Sequence, residues 1–148
     1  MVRIREKTGR AVFTVGALLM LLGCTGDPPM PPAASILDVN VKDFKIEPSL
    51  PVIEDGFVTL RVQNEGPATH EFVVVRSGLA ADQLPIAADG LSVDEDRMVP
   101  LGELSEVPAG ESGVLTLALT PGRYVLFCNL EGHYLIGMSA SIEVTDGV

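Results

Sequence analysis

Four side chains of metal-binding type follow a definite order in the sequence. Cys128, His133 and Met138 succeed one another near the C-terminus with four residues in each gap, and the only other histidine is His70. A thiolate, two imidazoles and a weak axial thioether are the donors of type 1 copper sites, because sulfur suits Cu(I) and imidazole suits both oxidation states. The order therefore indicates a site for one copper ion, built from two distant parts of the chain.

Strands are the elements expected to bring these side chains together. From Ile36 onward, hydrophobic and polar residues alternate with a period of two, which predicts strands near 39–46 (with a bulge), 58–62, 71–76, 115–119, 124–128 and 139–144. Turns rich in Gly and Pro separate them, at 64–67 and 120–123 for example. This pattern predicts an all-β, antiparallel sandwich or small barrel. If strands 71–76 and 124–128 are neighbours, His70 lies at the same end of the sandwich as the Cys128 loop.

The segment 77–98 does not follow the alternation. It is rich in Ala and Asp, and we interpret it as a long solvated surface loop with one short helix around 79–84. A calcium site is conceivable there, but the acidic residues do not follow the EF-hand order and Gly90 is misplaced for one.

The N-terminus has the features of an export signal. Basic residues precede the uncharged run 11–23, which is shorter than the ~20 residues that a membrane-spanning helix needs. Leu21-Leu22-Gly23-Cys24 resembles the lipobox of bacterial lipoproteins, which implies cleavage after residue 23, acylation of Cys24 and export to the outer side of a bacterial membrane. An ordinary signal peptide, an uncleaved anchor and a Cys24–Cys128 disulfide are the alternatives. The proline-rich segment 24–35 then predicts an extended tether reaching roughly 34 Å, ahead of one domain at 36–148.

Composition excludes several classes of function. The formal net charge of −10 argues against a nucleic-acid partner and weakens attraction to anionic lipid. Two Cys are too few for a disulfide scaffold. Structural zinc sites normally use four Cys or His ligands, and no motif supplies a base and oxyanion hole for a catalytic Cys. We therefore expect neither an enzyme nor a small-molecule substrate.

The segment Tyr124-Val-Leu-Phe-Cys128-Asn-Leu-Glu-Gly-His133-Tyr-Leu-Ile-Gly-Met138 resembles the copper-binding loop of the cupredoxins, the plastocyanin and azurin superfamily. Its spacing is similar to that of the auracyanin and rusticyanin type. The resemblance covers roughly residues 36–146 and implies a Greek-key sandwich with His70, Cys128 and His133 as ligands and Met138 as the axial ligand. Several cupredoxins have Asn beside the upstream His, whereas Thr69 and Glu71 flank His70 here.

The resemblance implies an electron carrier. His133 would be the electron port, with an apolar docking face supplied by Pro67, Leu130, Tyr134, Leu135 and Ile136. Acidic residues elsewhere would steer a basic redox partner, such as a cytochrome c or an oxidase domain. The alternative is a protein of the cell envelope that binds or delivers copper without carrying electrons.

Overall fold

A computed structural model describes residues 34–147. The predicted signal peptide 1–23, the acylated Cys24 and most of the 24–35 tether lie outside the described residues. Within residues 34–147, no helix is long and apolar enough to cross a membrane. This range contains one 3₁₀ helix, Glu95–Arg97, and nine strands: β1 Ser35–Lys42, β2 Lys45–Pro48, β3 Val52–Glu54, β4 Gly56–Asn64, β5 His70–Arg76, β6 Pro100–Val107, β7 Ser112–Leu119, β8 Gly122–Phe127 and β9 Ser139–Thr145.

The strands form a sandwich of two sheets, which confirms the predicted fold class. One sheet has the order β2-β1-β4-β7 and the other β3-β9-β8-β5-β6. Alternate residues of β1 and β4 face the second sheet and are fully buried, so the period of two in the sequence is the core pattern itself. Most pairings are antiparallel, but β1 runs parallel to β4 and β3 runs parallel to β9. The main core contains Leu37, Val39, Val41, Val58, Leu60, Val62, Phe72, Val74, Tyr124 and Leu126.

The change of phase near residue 43 is a hairpin turn rather than the predicted bulge. β1 and β2 pair antiparallel with Lys42 opposite Lys45, so Asp43 and Phe44 form the tip between them. Two short or irregular strands were not predicted. β3 has three residues, and β6 is an edge strand with two register shifts against β5, so neither shows a clear alternation.

The 77–98 segment is packed against the protein, which corrects two expectations. No helix forms at 79–84; the segment consists of turns, an isolated bridge between Ile86 and Val93, and the 3₁₀ helix. Leu84 and Val93 are buried, and they cover the outer face of the second sheet. The segment therefore builds a second small core, composed of Val73, Val75, Leu84, Val93, Val125, Phe127 and Tyr134.

Strand directions bring the predicted ligands to one end of the sandwich. β5 begins at His70 and pairs antiparallel with β8, with Val73 opposite Phe127. The next residue after β8 is Cys128, and β9 begins directly after Met138. His70, the first residue of β5, and the 128–138 loop between β8 and β9 therefore lie at the same end of the sandwich, as the sequence predicts.

Candidate metal centre

Three of the predicted ligands form a compact cluster. One donor atom each from His70, Cys128 and His133 lies within 4.8 Å of the others. Cys128 Sγ is 3.4 Å from His133 Nδ1, and the two imidazole ring centroids are 5.3 Å apart. His70 and Cys128 are fully buried, while His133 is half-buried. One thiol and two imidazoles thus converge on a space the size of a single ion.

His70 is held so that one ring nitrogen is free to bind a metal. Nε2 lies 2.8 Å from Asp43 Oδ1. A carboxylate oxygen accepts hydrogen bonds, so Nε2 donates to Asp43 and Nδ1 is the ring nitrogen left to bind a metal. Among the described residues, Nδ1 is a buried nitrogen without any hydrogen-bond partner. Such an atom is costly unless an ion binds it, and a carboxylate behind the ring is the usual support for a metal-binding histidine.

The surroundings of Cys128 favour a thiolate only when a cation is present. Burial raises the pKa of the thiol, although backbone N–H groups of Leu130 and Glu71 oppose this. The Glu71 N–H donates to Cys128 Sγ at 3.4 Å. Burial, together with Glu95 and Glu103, also raises the pKa of the Glu71 carboxyl to about 7, so this group adds less than a full negative charge at neutral pH. A bound metal ion would offset the cost of the buried thiolate.

His133 is the predicted ligand that reaches the surface. Partial burial, followed by the nearby His70, lowers the pKa of its imidazole, although Asp43 opposes this, and the shift favours the neutral ring that can bind a metal. The ring of Phe44, at the tip of the β1–β2 hairpin, packs against it edge to face with centroids 4.8 Å apart. The histidine is therefore fixed from two sides, by Phe44 and by His70.

Met138 lies at the same end of the sandwich and is fully buried. Its backbone closes the loop, because Cys128 N donates to Met138 O at 3.1 Å and Met138 N donates to His133 O at 3.1 Å. Gly132 and Gly137, which precede the two later ligands, have φ of +80° and +99°. Positive φ angles of this size favour glycine, because a side chain would strain the backbone there. Axial ligation by Met138 stays a prediction.

The turn before His70 is organised by a residue that sequence reasoning missed. Asn64 is fully buried at the end of β4, and its side-chain amide donates to Ala68 O at 2.7 Å and to Val107 O at 2.8 Å. Its Oδ1 accepts from Gly66 N at 2.8 Å. The sequence flagged 64–67 as a turn, but nothing in it linked Asn64 to β6. Asn64 therefore holds the turn that leads into His70 and joins this turn to β6.

The rim around His133 differs in part from the predicted docking face. Leu135 and Ile136 are 46% and 59% exposed, and Pro67 is exposed. Tyr134 is only 5% exposed, because its ring packs into the second core, so its assignment to the docking face was wrong. Leu130 is partly buried against the main core. Phe44, 41% exposed beside His133, was not predicted, since an aromatic residue in a hairpin tip carries no signal of what it will meet.

The chain is similar to known proteins in both sequence and fold. No family model matches the chain. Auracyanin-B of Chloroflexus aurantiacus is 35% identical over 105 residues, which cover 66% of this chain and 43% of that protein. The chain thus matches less than half the length of this relative.

Two solved structures have a similar fold. An auracyanin of Roseiflexus castenholzii, in its dithionite-reduced form, superimposes with a TM-score of 0.58 at 22% identity, covering 76% of this chain and 98% of that one. Auracyanin A of Chloroflexus aurantiacus, described as a "blue" copper protein, gives 0.50 at 20%, covering 75% and 100%. The described domain has the cupredoxin fold. Within this fold, the His-Cys-His cluster occupies the end where the predicted ligand loop lies.

Proposed function

We propose that the cupredoxin domain binds one type 1 copper ion and carries single electrons. The observation that carries the proposal is the convergence of His70, Cys128 and His133 within 4.8 Å, with His70 Nδ1 buried and unpartnered toward them. Met138 is proposed as the axial ligand, on its burial and its place in the loop. The "blue" copper of auracyanin A and the reduced form of the Roseiflexus protein support a copper couple of this kind.

The residues of this chain hold the site in one geometry. When bound, copper supplies the one-electron Cu(II)/Cu(I) couple. Asp43 keeps the proton of His70 on Nε2, and the Glu71 N–H steadies the Cys128 sulfur. Both side chains are set in a sandwich whose core excludes water. A site that changes little between oxidation states needs little reorganisation, which is what an electron carrier requires.

His133 is the proposed port for the electron. It is the least buried member of the cluster; Phe44 packs against its ring, and the exposed Leu135 and Ile136 follow it closely in the loop. A partner that packs on this rim would bring its own redox centre close to the imidazole edge. Because both histidines of the sequence serve as ligands, no histidine remains for acid–base chemistry, and we propose no enzymatic role.

Voltammetry of the copper-loaded protein tests the carrier proposal. A reversible one-electron wave that persists over many cycles is expected, because four protein ligands retain the ion in both states. An irreversible wave with metal loss on cycling would contradict it. Competition with a copper chelator separates the alternative, since rapid loss of metal would favour copper delivery in the envelope.

We also propose attachment to the outer side of a bacterial membrane through an acylated Cys24. Support comes from the basic N-terminus, the short apolar run and the lipobox-like residues. Mass spectrometry of the mature protein from membranes should show diacyl or triacyl modification on an N-terminal Cys24, and Cys24→Ser should release the protein from the membrane fraction. An unmodified Cys24 in a membrane-bound protein would contradict the proposal.

The proposed partners are basic redox proteins, such as a cytochrome c or an oxidase domain. A net charge of −10 supports this choice, because opposite charge speeds the encounter of two proteins.

A further inference from the structure

We infer that the segment 77–98 is a brace for the ligand loop, and that Asn129 and Tyr134 are the positioning residues through which it acts. The inference deepens the proposed function, because the neighbours of these two residues, Cys128 and His133, are proposed copper ligands. It rests on contacts that join two parts of the chain far apart in sequence.

Asn129, the residue after Cys128, makes three hydrogen bonds to the brace. Its Oδ1 accepts from Val93 N at 2.7 Å, and its Nδ2 donates to Val93 O at 3.2 Å and to Glu95 Oε1 at 2.6 Å. One side chain thus satisfies both backbone groups of a buried residue in the brace. Such paired bonds fix the direction of the Asn129 side chain, and with it the backbone that carries Cys128.

Tyr134, the residue after His133, makes the second contact with the brace. Its hydroxyl accepts from Leu84 N at 2.8 Å and donates to Ala81 O at 2.8 Å. The ring packs edge to face on Phe127, with centroids 5.9 Å apart. The ring of Tyr134 is held by packing and its hydroxyl by hydrogen bonds. Together these contacts fix both the direction of the side chain and the position of the loop backbone that carries it.

A third contact with the brace lies between Asn129 and Tyr134 in the ligand loop. Gly132 N donates to Leu91 O at 2.8 Å. The ligand loop is therefore bound to the brace at three points, through Asn129, Gly132 and Tyr134, and each of these residues adjoins a proposed ligand.

The brace is itself ordered enough to act as a support. Asp89 accepts from the backbone N–H of Leu91 at 2.8 Å, and Ser92 donates its hydroxyl to Asp89 at 3.0 Å. Ile86 and Val93 form a bridge, and Leu84 and Val93 are buried in the second core. A loose loop could not position its neighbour, whereas one fixed by its own bonds and by burial can.

Hydrogen exchange of the metal-free protein tests the inference. Tyr134→Phe removes the two hydroxyl bonds and keeps the buried ring. Amides inside the ligand loop, such as Gly132 and Met138, should exchange about tenfold faster or more, while amides of β4 stay at the wild-type rate. Tyr124→Phe is the matched control, because that hydroxyl also makes two bonds, to Thr120 O at 2.7 Å and from Thr120 N at 3.1 Å, beside the 120–123 turn, away from the ligand loop.

Variants of Asn129 test the contact between this residue and the brace. Asn129→Ala should speed exchange of the same loop amides. Asn129→Asp keeps the acceptor for Val93 N but places a carboxylate oxygen against Glu95 and the Val93 carbonyl, so it should speed exchange at least as much. If Asn129→Ala fails to fold, Asn129→Asp and Tyr134→Phe still decide the question. Loop exchange equal to wild type, or equal in Tyr134→Phe and Tyr124→Phe, overturns the brace.

Copper retention supplies a separate readout. In Tyr134→Phe, a chelator should remove copper several-fold faster than from wild type or from Tyr124→Phe. Faster loop exchange in a protein that never binds copper would leave the brace standing and refute the proposed function. Unchanged loop exchange in a protein that binds copper would refute the brace and leave the proposed function standing.

Discussion

The two ring nitrogens of His70 have opposite surroundings. Nε2 is bonded to a carboxylate, and Nδ1 is buried without a partner. An ordinary core histidine would satisfy both nitrogens, so this asymmetry supports the prediction that His70 binds a metal. The residue types and their order predicted His70 as a ligand. They could not predict Asp43, because a hydrogen bond between residues 27 apart in sequence depends on how the strands pair.

Asp43→Ala should weaken copper binding by 10- to 100-fold, because the ring of His70 loses the support that fixes its tautomer and orientation. Chelator competition measures the affinity. Asp38→Ala is the matched control, since that carboxylate lies on β1 and pairs with Arg61 at the surface. Equal affinity in the two variants would show that Asp43 has no part in the site.

Met138→Gln should keep copper and lower its reduction potential, because a harder oxygen donor favours Cu(II) over Cu(I). Voltammetry reads the potential directly. Met98→Gln changes a partly buried methionine that packs against the second core, and it should leave the potential unchanged. A potential unaffected by Met138→Gln would remove Met138 from the proposed ligand set.

Elements bring the site together through three turns at one end of the sandwich. The β1–β2 tip supplies Asp43 and Phe44, the 64–69 turn leads into His70, and the 128–138 loop supplies the remaining ligands. Periodicity predicted most strands because their inward residues alternate. It did not predict that the 77–98 segment is packed, since its two buried residues, Leu84 and Val93, follow no repeat, and burial of single residues leaves no periodic signal.

Gly66 lies where the 64–69 turn contacts the β1–β2 tip. A Cβ at this position would lie 2.6 Å from Asp43 Oδ1 and 3.1 Å from the Asp43 backbone nitrogen. Gly66→Ala should therefore displace Asp43 from His70, weaken copper binding as Asp43→Ala does, and cost about 1–3 kcal/mol of stability. Urea unfolding and chelator competition measure the two effects.

Gly78→Ala is the control for Gly66→Ala, because no atom lies within 4 Å of the added Cβ. Its effect on stability should stay within about 0.5 kcal/mol, with unchanged copper affinity. If Gly66→Ala behaved like Gly78→Ala, the contact between the two turns would not support the site.

At the scale of the whole molecule, charge and the exposed rim have separate roles. The apolar rim around His133 is local, whereas the net charge of −10 belongs to the chain as a whole. Composition predicted the charge and the sequence order predicted the ligands. The membership of the rim required the structure, because exposure of Phe44 and burial of Tyr134 depend on packing.

Electron transfer to a cationic redox partner should slow as ionic strength rises, since salt screens the attraction that brings the two proteins together. Stopped-flow rates between low salt and about 0.15 M ionic strength measure this, and a fall of tenfold or more is expected. A neutral redox partner is the control and should show little change. A rate independent of salt with the cationic partner would remove charge steering from the account.

The central claim is that a thiolate from Cys128 and two distant histidines bind one copper ion, and visible absorption after copper loading tests it most directly. The oxidised protein should show an intense thiolate-to-copper band that disappears on reduction, and Cys128→Ser should stay folded and lack the band. A colourless oxidised protein with copper bound, or a band that survives in Cys128→Ser, would contradict the account.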